Sequence, residues 1–197
     1  MFLLFTKHNP YTDDKDVQLM LQFCDGDKQA FEKLMIAYFK PVLNFIYRYV
    51  KDAAWAEDLT QEVFIRVYKS AAGYEAKSKF KTWLFTIARN MALNALTRNK
   101  HTTISLDQTI NGRENKMQQQ VADRNTLNPK EELLKKEQQQ QVQAAIDALP
   151  ENQRTAVLLR RFENMSYDDI ASAMKTTSKA VKSLLSRAKD NLRNKLG

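Results

Sequence analysis

SYDDIASAMKTTSKAVKSLLSRAK, residues 166–189, is the stretch on which the fold turns. Ser166, followed three residues later by Asp169, has the form of a capping box and opens a short helix through Ile170, Ala171 and Met174. Lys175 to Thr177 makes a turn. Ser178 is then expected to cap a final helix with Val181, Leu185, Ala188 and Leu192 on its inner side. At 100° per residue, Lys179, Lys182, Ser183, Ser186 and Lys189 fall broadly on the opposite face. A short helix, a tight turn and a longer basic amphipathic helix make a helix-turn-helix, whose second helix suits the major groove of duplex DNA. No acidic residue interrupts Lys175 to Lys189.

Helical patterning continues upstream. Pro150 suits the first turn of a helix carrying Val157, Leu158 and Phe162, and Asn164 tolerates the left-handed conformation that closes it. From Asn99 to about Gln141 there are no aromatics, few aliphatics and two Gln runs, at 118–120 and 138–141. That composition reads as a solvated tether with its end helical from Lys130 onward, and no sustained apolar heptad makes it a coiled coil.

Nearer the N-terminus, Thr12 or Asp13 is expected to cap a first helix through Val17, Leu19, Met20, Leu21 and Phe23, ended by Gly26. Asp27 caps a longer stretch through Phe31, Leu34, Met35, Tyr38, Val42, Phe45, Ile46 and Tyr49, which Pro41 is predicted to kink or split in two. A third helix is expected from about Ala54 to Ser70, with Leu59, Val63, Phe64 and Val67 inward. Gly73 to Lys79 forms a loop, and a fourth helix, about Phe80 to Thr97, buries Leu84, Ile87, Ala88, Met91 and Ala95. The expected fold is all-α: two small helical domains, residues 1–98 and 142–197, joined by a flexible polar linker, 99–141.

Composition agrees. In 197 residues there are only four Gly and four Pro, and 43% of the chain is hydrophobic, enough for at least one real core. Cys24 stands alone, so no intrachain disulfide is possible; it reads as a small buried apolar residue in a reducing compartment. His8 and His101 lie far apart in segments read as flexible, so a zinc site and other metal or cofactor chemistry are not expected. Met1–Phe5 is shorter than the core of a signal peptide, and no run reaches the ~18–20 apolar residues of a membrane span, which predicts a soluble cytoplasmic protein.

The net charge of +8 suits a polyanionic partner, and its placement says more. Between Glu75 and Asp107 there is no acidic residue, while Lys77, Lys79, Lys81, Arg89, Arg98 and Lys100 lie there with Phe80, Trp83 and Phe85, just after Tyr74. Cations beside exposed rings suit opened nucleic acid: charge follows phosphates and ring faces receive unstacked bases. Trp83 adjoins an apolar stripe and reads better as an anchor beneath the loop. Thr82, Thr86, Arg89, Asn90 and Thr97 occupy the side away from Leu84–Ala95, although Leu93 shares it.

The run from Ala56 to Phe64, AEDLTQEVF, and that from Phe80 to Asn90, FKTWLFTIARN, resemble the second region of bacterial RNA polymerase sigma factors. Leu149-Pro150, Gln153-Arg154, the run from Ser166 to Ala171, Val181-Lys182-Ser183 and Arg187-Ala188 resemble the fourth region. The likeness covers about Asp16–Arg98 and Ala144–Leu196. The first and third regions are missing, as in the extracytoplasmic function (ECF) group.

The resemblance implies a division of labour. Asp58, Gln61 and Glu62, on a helix whose acidic run also holds Glu57, correspond to the surface that docks on a coiled coil of the polymerase largest subunit. Tyr74 to Phe80 corresponds to the loop that captures a base extruded from the non-template strand of the minus-ten element. There Lys77 and Lys79 would hold phosphates, and Tyr74 or Phe80 would stack. Arg89, Asn90 and Arg98 would contact the upstream end of the opened duplex. Lys179, Lys182, Ser183, Ser186 and Lys189 would read or hold the minus-thirty-five element. Lys175, Lys179 and Leu184 depart from the family's usual Gly, Gly and Arg. The implied partners are core RNA polymerase, promoter DNA and an anti-sigma protein, and the implied protein is not an enzyme.

Two other functions fit parts of the sequence. A stand-alone helix-turn-helix regulator would need a ligand pocket or a symmetric dimer and no polymerase. A metal-dependent nuclease would draw on Glu57, Asp58 and Glu62, which lack a second convergent set of carboxylates.

Overall fold

Capping decides where the helices begin. Asp14, rather than Thr12 or Asp13, starts α1 (Lys15–Cys24): its carboxylate accepts from the amides of Asp16 and Val17, both at 3.1 Å. Thr12 belongs instead to the preceding turn, its amide and hydroxyl both donating to the Asn9 carbonyl. Asp27 caps α2 (Lys28–Val50) after Gly26, whose φ of +106° only glycine adopts at ease. Asp52 caps α3 (Ala53–Lys69), and a 3-10 turn at Ala71–Gly73 leads into the loop before α4 (Phe80–Ser105). Then come α5 (Pro129–Asp147), α6 (Glu151–Arg161), α7 (Tyr167–Met174) and α8 (Ser178–Leu196). The structure is a computed structural model that describes residues 9–105 and 129–196, and among these there is no β-strand.

Pro41 does not split α2, which is one helix from Lys28 to Val50. The hydrogen bond proline cannot make would end on the Ala37 carbonyl, at an exposed position open to water. Both halves are held by one buried stripe, Ala30, Leu34, Val42, Phe45, Ile46 and Tyr49. α4 runs eight residues past the expected end at Thr97. Of the expected linker 99–141, residues 99–105 thus belong to α4 and 129–141 to α5, while 106–128 lie outside the described residues. So do Met1–Phe5 and His8.

The chain divides into two compact units: α1 to α3, α4 as far as Thr102 and the stretch Ser172–Lys175 are grouped in the first, and the end of α4, α5, α6, α7 as far as Ala171 and α8 in the second. In the first, Val17, Met20, Leu34, Phe45, Ile46, Val63, Phe80, Leu84 and Phe85 make the core. Each large apolar side chain taken from water contributes roughly 1.5–3 kcal/mol, which is how short helices of ordinary propensity are held.

In the second unit Leu149, Leu158, Leu159, Ile170, Val181 and Ala188 are buried. Polar side chains tie its helices: Arg154 Nη2 lies 3.2 Å from Asp147 Oδ1, and Asn191 Nδ2 donates to Gln153 Oε1 at 2.8 Å. Asn164 takes the left-handed conformation (φ 51°) after α6. The Ser166 hydroxyl accepts from the Asp169 amide at 3.1 Å and donates to its carboxylate at 2.6 Å, so the second half of the capping box runs side chain to side chain. Lys175 keeps the left-handed turn (φ 52°) that glycine would occupy without strain. Around it the Thr176 amide donates to the Ala171 carbonyl at 2.9 Å and the Lys175 amide to Ser172 at 3.2 Å, the paired bonds of a Schellman closure. The cap of α8 is Thr177, whose hydroxyl accepts from the Ala180 amide at 3.2 Å. Ser178, expected in that role, donates instead to Asp168 Oδ1 and links the first turns of α7 and α8.

Candidate polymerase and promoter interface

The loop between the 3-10 turn and α4 carries the chemistry of interest. Tyr74 is half-buried, its ring edge-to-face with Trp83 at a centroid distance of 5.0 Å. Its hydroxyl is buried with no hydrogen-bond partner. Burial pushes the Tyr74 phenol up to about 12, with Cys24 and Asp14 adding to the rise. Lys77 and Lys79 are exposed. Lys77 pairs with Glu75, which holds that carboxyl below its usual range, but both side chains face water and such a pair yields readily to a phosphate.

Phe80 is not a base platform in this structure. It is 0% exposed, edge-on to Tyr38 at 5.5 Å and tilted against Trp83 at 6.0 Å. The reason is its register: residues 80, 84, 88, 91 and 95 form one helical stripe, and all five are buried. Phe85 is equally buried, T-shaped against Phe45 at 5.3 Å. The rings that remain partly accessible beside the cations are therefore Tyr74 and Trp83. Cys24, expected to be buried, is exposed, and its thiol donates to the Ala71 carbonyl at 3.1 Å.

Along α4, Arg89 and Asn90 are half-buried, and Arg89 Nη1 donates to Asn90 Oδ1 at 3.3 Å. Arg89 Nε is buried without a partner. Thr82, expected on the outer side, is buried at 2% exposure, and its carbonyl accepts from the Thr86 hydroxyl at 2.7 Å. Thr97 turns its hydroxyl back to the Leu93 carbonyl at 3.0 Å.

On α3, Glu57, Asp58, Gln61 and Glu62 are all exposed. Beyond them a groove of about 510 Å³ opens between α3 and α4, lined by Leu59, Glu62, Ile65, Arg66, Met91 and Arg98 among others. Sequence reasoning missed Ile65, which is half exposed. Its signal was an isoleucine three and four residues beyond Glu62 and Gln61, on their side of the helix. Glu62 and Arg98, expected to serve different partners, line this one groove.

On α8, Lys179, Lys182, Ser183, Ser186 and Lys189 are exposed, while Val181 and Ala188 are buried and Leu185 and Leu192 half-buried. All five expected contacts are thus available to a ligand. Among the described residues no group of three or more His, Cys, Asp or Glu is placed to hold a metal ion, and no helix is long and apolar enough to cross a membrane.

An exposed basic helix closes a helix-turn-helix in one unit, and the other unit carries an exposed acidic run on α3 and a loop of lysines beside partly accessible rings, the equipment expected of a transcription initiation factor. The family models Sigma-70 region 2 and Sigma-70, region 4 match residues 34–102 and 139–192. The chain is 36% identical to the RNA polymerase sigma-H factor of Pseudomonas aeruginosa over 179 residues, 91% of this chain and 92% of that protein. It is 35% identical to the ECF RNA polymerase sigma-E factor of Haemophilus influenzae over 182 residues, 92% of this chain and 95% of that one. The chain belongs to the RNA polymerase sigma factors of the ECF group. It is therefore a promoter-specificity subunit: it binds core RNA polymerase, recognises promoter DNA and promotes strand opening. The stand-alone regulator falls away.

Solved structures share the fold. CnrH, in complex with the cytosolic domain of CnrY, superposes with a TM-score of 0.67 at 18% identity, covering 93% of this chain and 97% of that one. The sigma factor RpoE of Bartonella quintana, in complex with the anti-sigma factor NepR, gives 0.66 at 23% identity, covering 84% and 96%.

Proposed function

We propose that Asp58, Gln61 and Glu62 dock this subunit on core polymerase, and that the loop from Tyr74 to Lys79 traps a base extruded from the non-template strand at the minus-ten element. The observation that carries this reading is the Tyr74–Trp83 ring pair, partly accessible and flanked by exposed Lys77 and Lys79. Unstacking a base costs a few kcal/mol, and a base–aromatic contact returns about 1–3 kcal/mol. A site that binds only the extruded base therefore captures thermal opening, and Lys77 and Lys79 add phosphate contacts that do not depend on sequence. Arg89, Asn90 and Arg98 extend the contacts along α4.

Lys179, Lys182, Ser183, Ser186 and Lys189 are assigned to the minus-thirty-five element. No covalent step is assigned to any residue; melting is driven by binding alone. An anti-sigma protein is the expected regulator, by analogy with the RpoE–NepR pair, and would silence the subunit by covering the α3 surface or α8. The test is run-off sequencing of transcripts from genomic DNA with core polymerase and this protein. Promoter-specific starts should appear and should vanish with Asp58→Ala/Gln61→Ala. Unchanged initiation by that double variant removes α3 from the docking surface.

A further inference from the structure

Asn9, sixty-seven positions before Ala76, donates its side-chain Nδ2 to the Ala76 carbonyl at 2.8 Å. Ala76 lies in the middle of the loop that carries Tyr74, Lys77 and Lys79. We propose that Asn9 is a positioning residue for promoter opening: it straps the loop backbone in place before DNA arrives. The proposal rests on the base-capture reading of that loop.

The strap is well anchored at its own end. Asn9 Oδ1 accepts from the Tyr11 amide at 3.0 Å, and the Asn9 carbonyl accepts from the Thr12 amide at 3.0 Å and the Thr12 hydroxyl at 2.7 Å. Gln18 Nε2, on α1, reaches the Thr12 carbonyl at 3.1 Å. Asn9 is thereby tied to the start of α1, and through α1 to the core. At the other end the loop is bounded by Cys24 Sγ donating to the Ala71 carbonyl at 3.1 Å, and by Phe80 buried beneath it. Two bonds inside the loop are local: the Lys77 amide to the Glu75 carbonyl at 2.7 Å and the Ser78 hydroxyl to the Lys79 carbonyl at 3.3 Å. Local bonds shape a loop without fixing it to the body; the Asn9 bond ties the middle of the loop to the start of α1, while the Tyr74–Trp83 ring contact and the Trp83 amide donating to the Lys79 carbonyl at 3.2 Å hold its ends to α4.

The chemistry selects an amide. One side chain must accept from its own turn and donate to a distant carbonyl, and Asn does both. Asp keeps the acceptor and loses the donor. Ser keeps a weaker acceptor and is too short to reach. Ordering a loop in advance lowers what must be ordered at the moment of binding, so the strap acts on base capture without touching the base.

The experiment compares the full-length wild-type protein with Asn9→Ser and Asn9→Asp. Hydrogen exchange of the free protein should accelerate over residues 74–79 in both variants. Core polymerase binding should not change. Open-complex formation on a duplex promoter, read by permanganate reactivity, should fall roughly twofold to tenfold, the range one net hydrogen bond spans. Discrimination among bases at the extruded position should fall with it, a loss that general destabilisation would not produce. Unchanged exchange over 74–79, or unchanged base discrimination, overturns the strap. Tyr74→Ala separates the two levels. If it impairs opening while the Asn9 variants do not, the strap alone is wrong; if it also has no effect, the base-capture reading falls and the strap with it.

Discussion

Replacing Phe80 by leucine separates two roles that one ring could play in a sigma factor. The ring is fully buried between Tyr38 and Trp83. Leucine fills most of the same space, so the expected loss is the aromatic contacts, about 0.5–1.5 kcal/mol per pair, plus a small residual cavity. Together these amount to roughly 1.5–3 kcal/mol. At ~4–8 °C per kcal/mol for a domain of this size, thermal unfolding of the α1–α4 unit should come at least 6 °C earlier. At a temperature where the variant is folded, promoter opening should match wild type. A base platform would behave in the reverse way. Losing ~1–3 kcal/mol of stacking would cut opening roughly 5- to 150-fold, with little effect on melting temperature. Tyr74→Leu is the internal contrast, with a small shift in unfolding and a large loss of opening. The assay is calorimetry beside permanganate footprinting of the reconstituted holoenzyme. A Phe80→Leu protein of unchanged stability that fails to open DNA would refute the assignment of Phe80 to the core.

Lys175→Gly relieves a left-handed residue at the helix-turn-helix turn. Unfolding stability should rise by about 0.5–1 kcal/mol, the strain relieved less the extra freedom of glycine when unfolded, as read by denaturant titration. Tyr74→Phe removes a buried hydroxyl that has no partner, and should raise stability at neutral pH by about 1 kcal/mol. The Tyr74 phenol is raised in the folded state, so the unfolded chain ionises first: wild-type stability should decline from about pH 10 towards 12. In Tyr74→Phe that part of the alkaline decline should be missing, as followed by tyrosinate absorbance and melting temperature. Lys182→Ala/Lys189→Ala should weaken binding to minus-thirty-five DNA, with a salt slope shallower by about 2 if both lysines hold phosphates; an unchanged slope removes them from the interface.

Much of the site was legible because exposure along an amphipathic helix follows from spacing. Placing Lys179, Lys182, Ser183, Ser186 and Lys189 opposite Val181 and Ala188 needs only a 100° step. The same rule, applied to α4, argued against Phe80: it heads the stripe that continues through Leu84, Ala88, Met91 and Ala95. In the sequence Phe80 both closes the lysine-bearing loop and begins the helix, and neighbouring charge does not mark which of the two places the ring takes. Thr82 and Phe85 are buried for a different reason. α4 is covered on more than one side, so a second face is buried that periodicity alone does not mark.

The order of side chains along the chain set the run of helices, though not the continuity of α2 through Pro41 or the end of α4, together with the turn chemistry at Asp27, Asn164 and Lys175 and membership of the sigma factors, because these depend on neighbours within a few residues. Packing decided that Phe80 supports the loop from below, that Ile65, Arg66 and Arg98 line one groove with Glu62, and that Asn9 meets Ala76. Those contacts join residues tens of positions apart, and spacing along a chain carries no information about which distant groups the fold will bring within hydrogen-bonding distance.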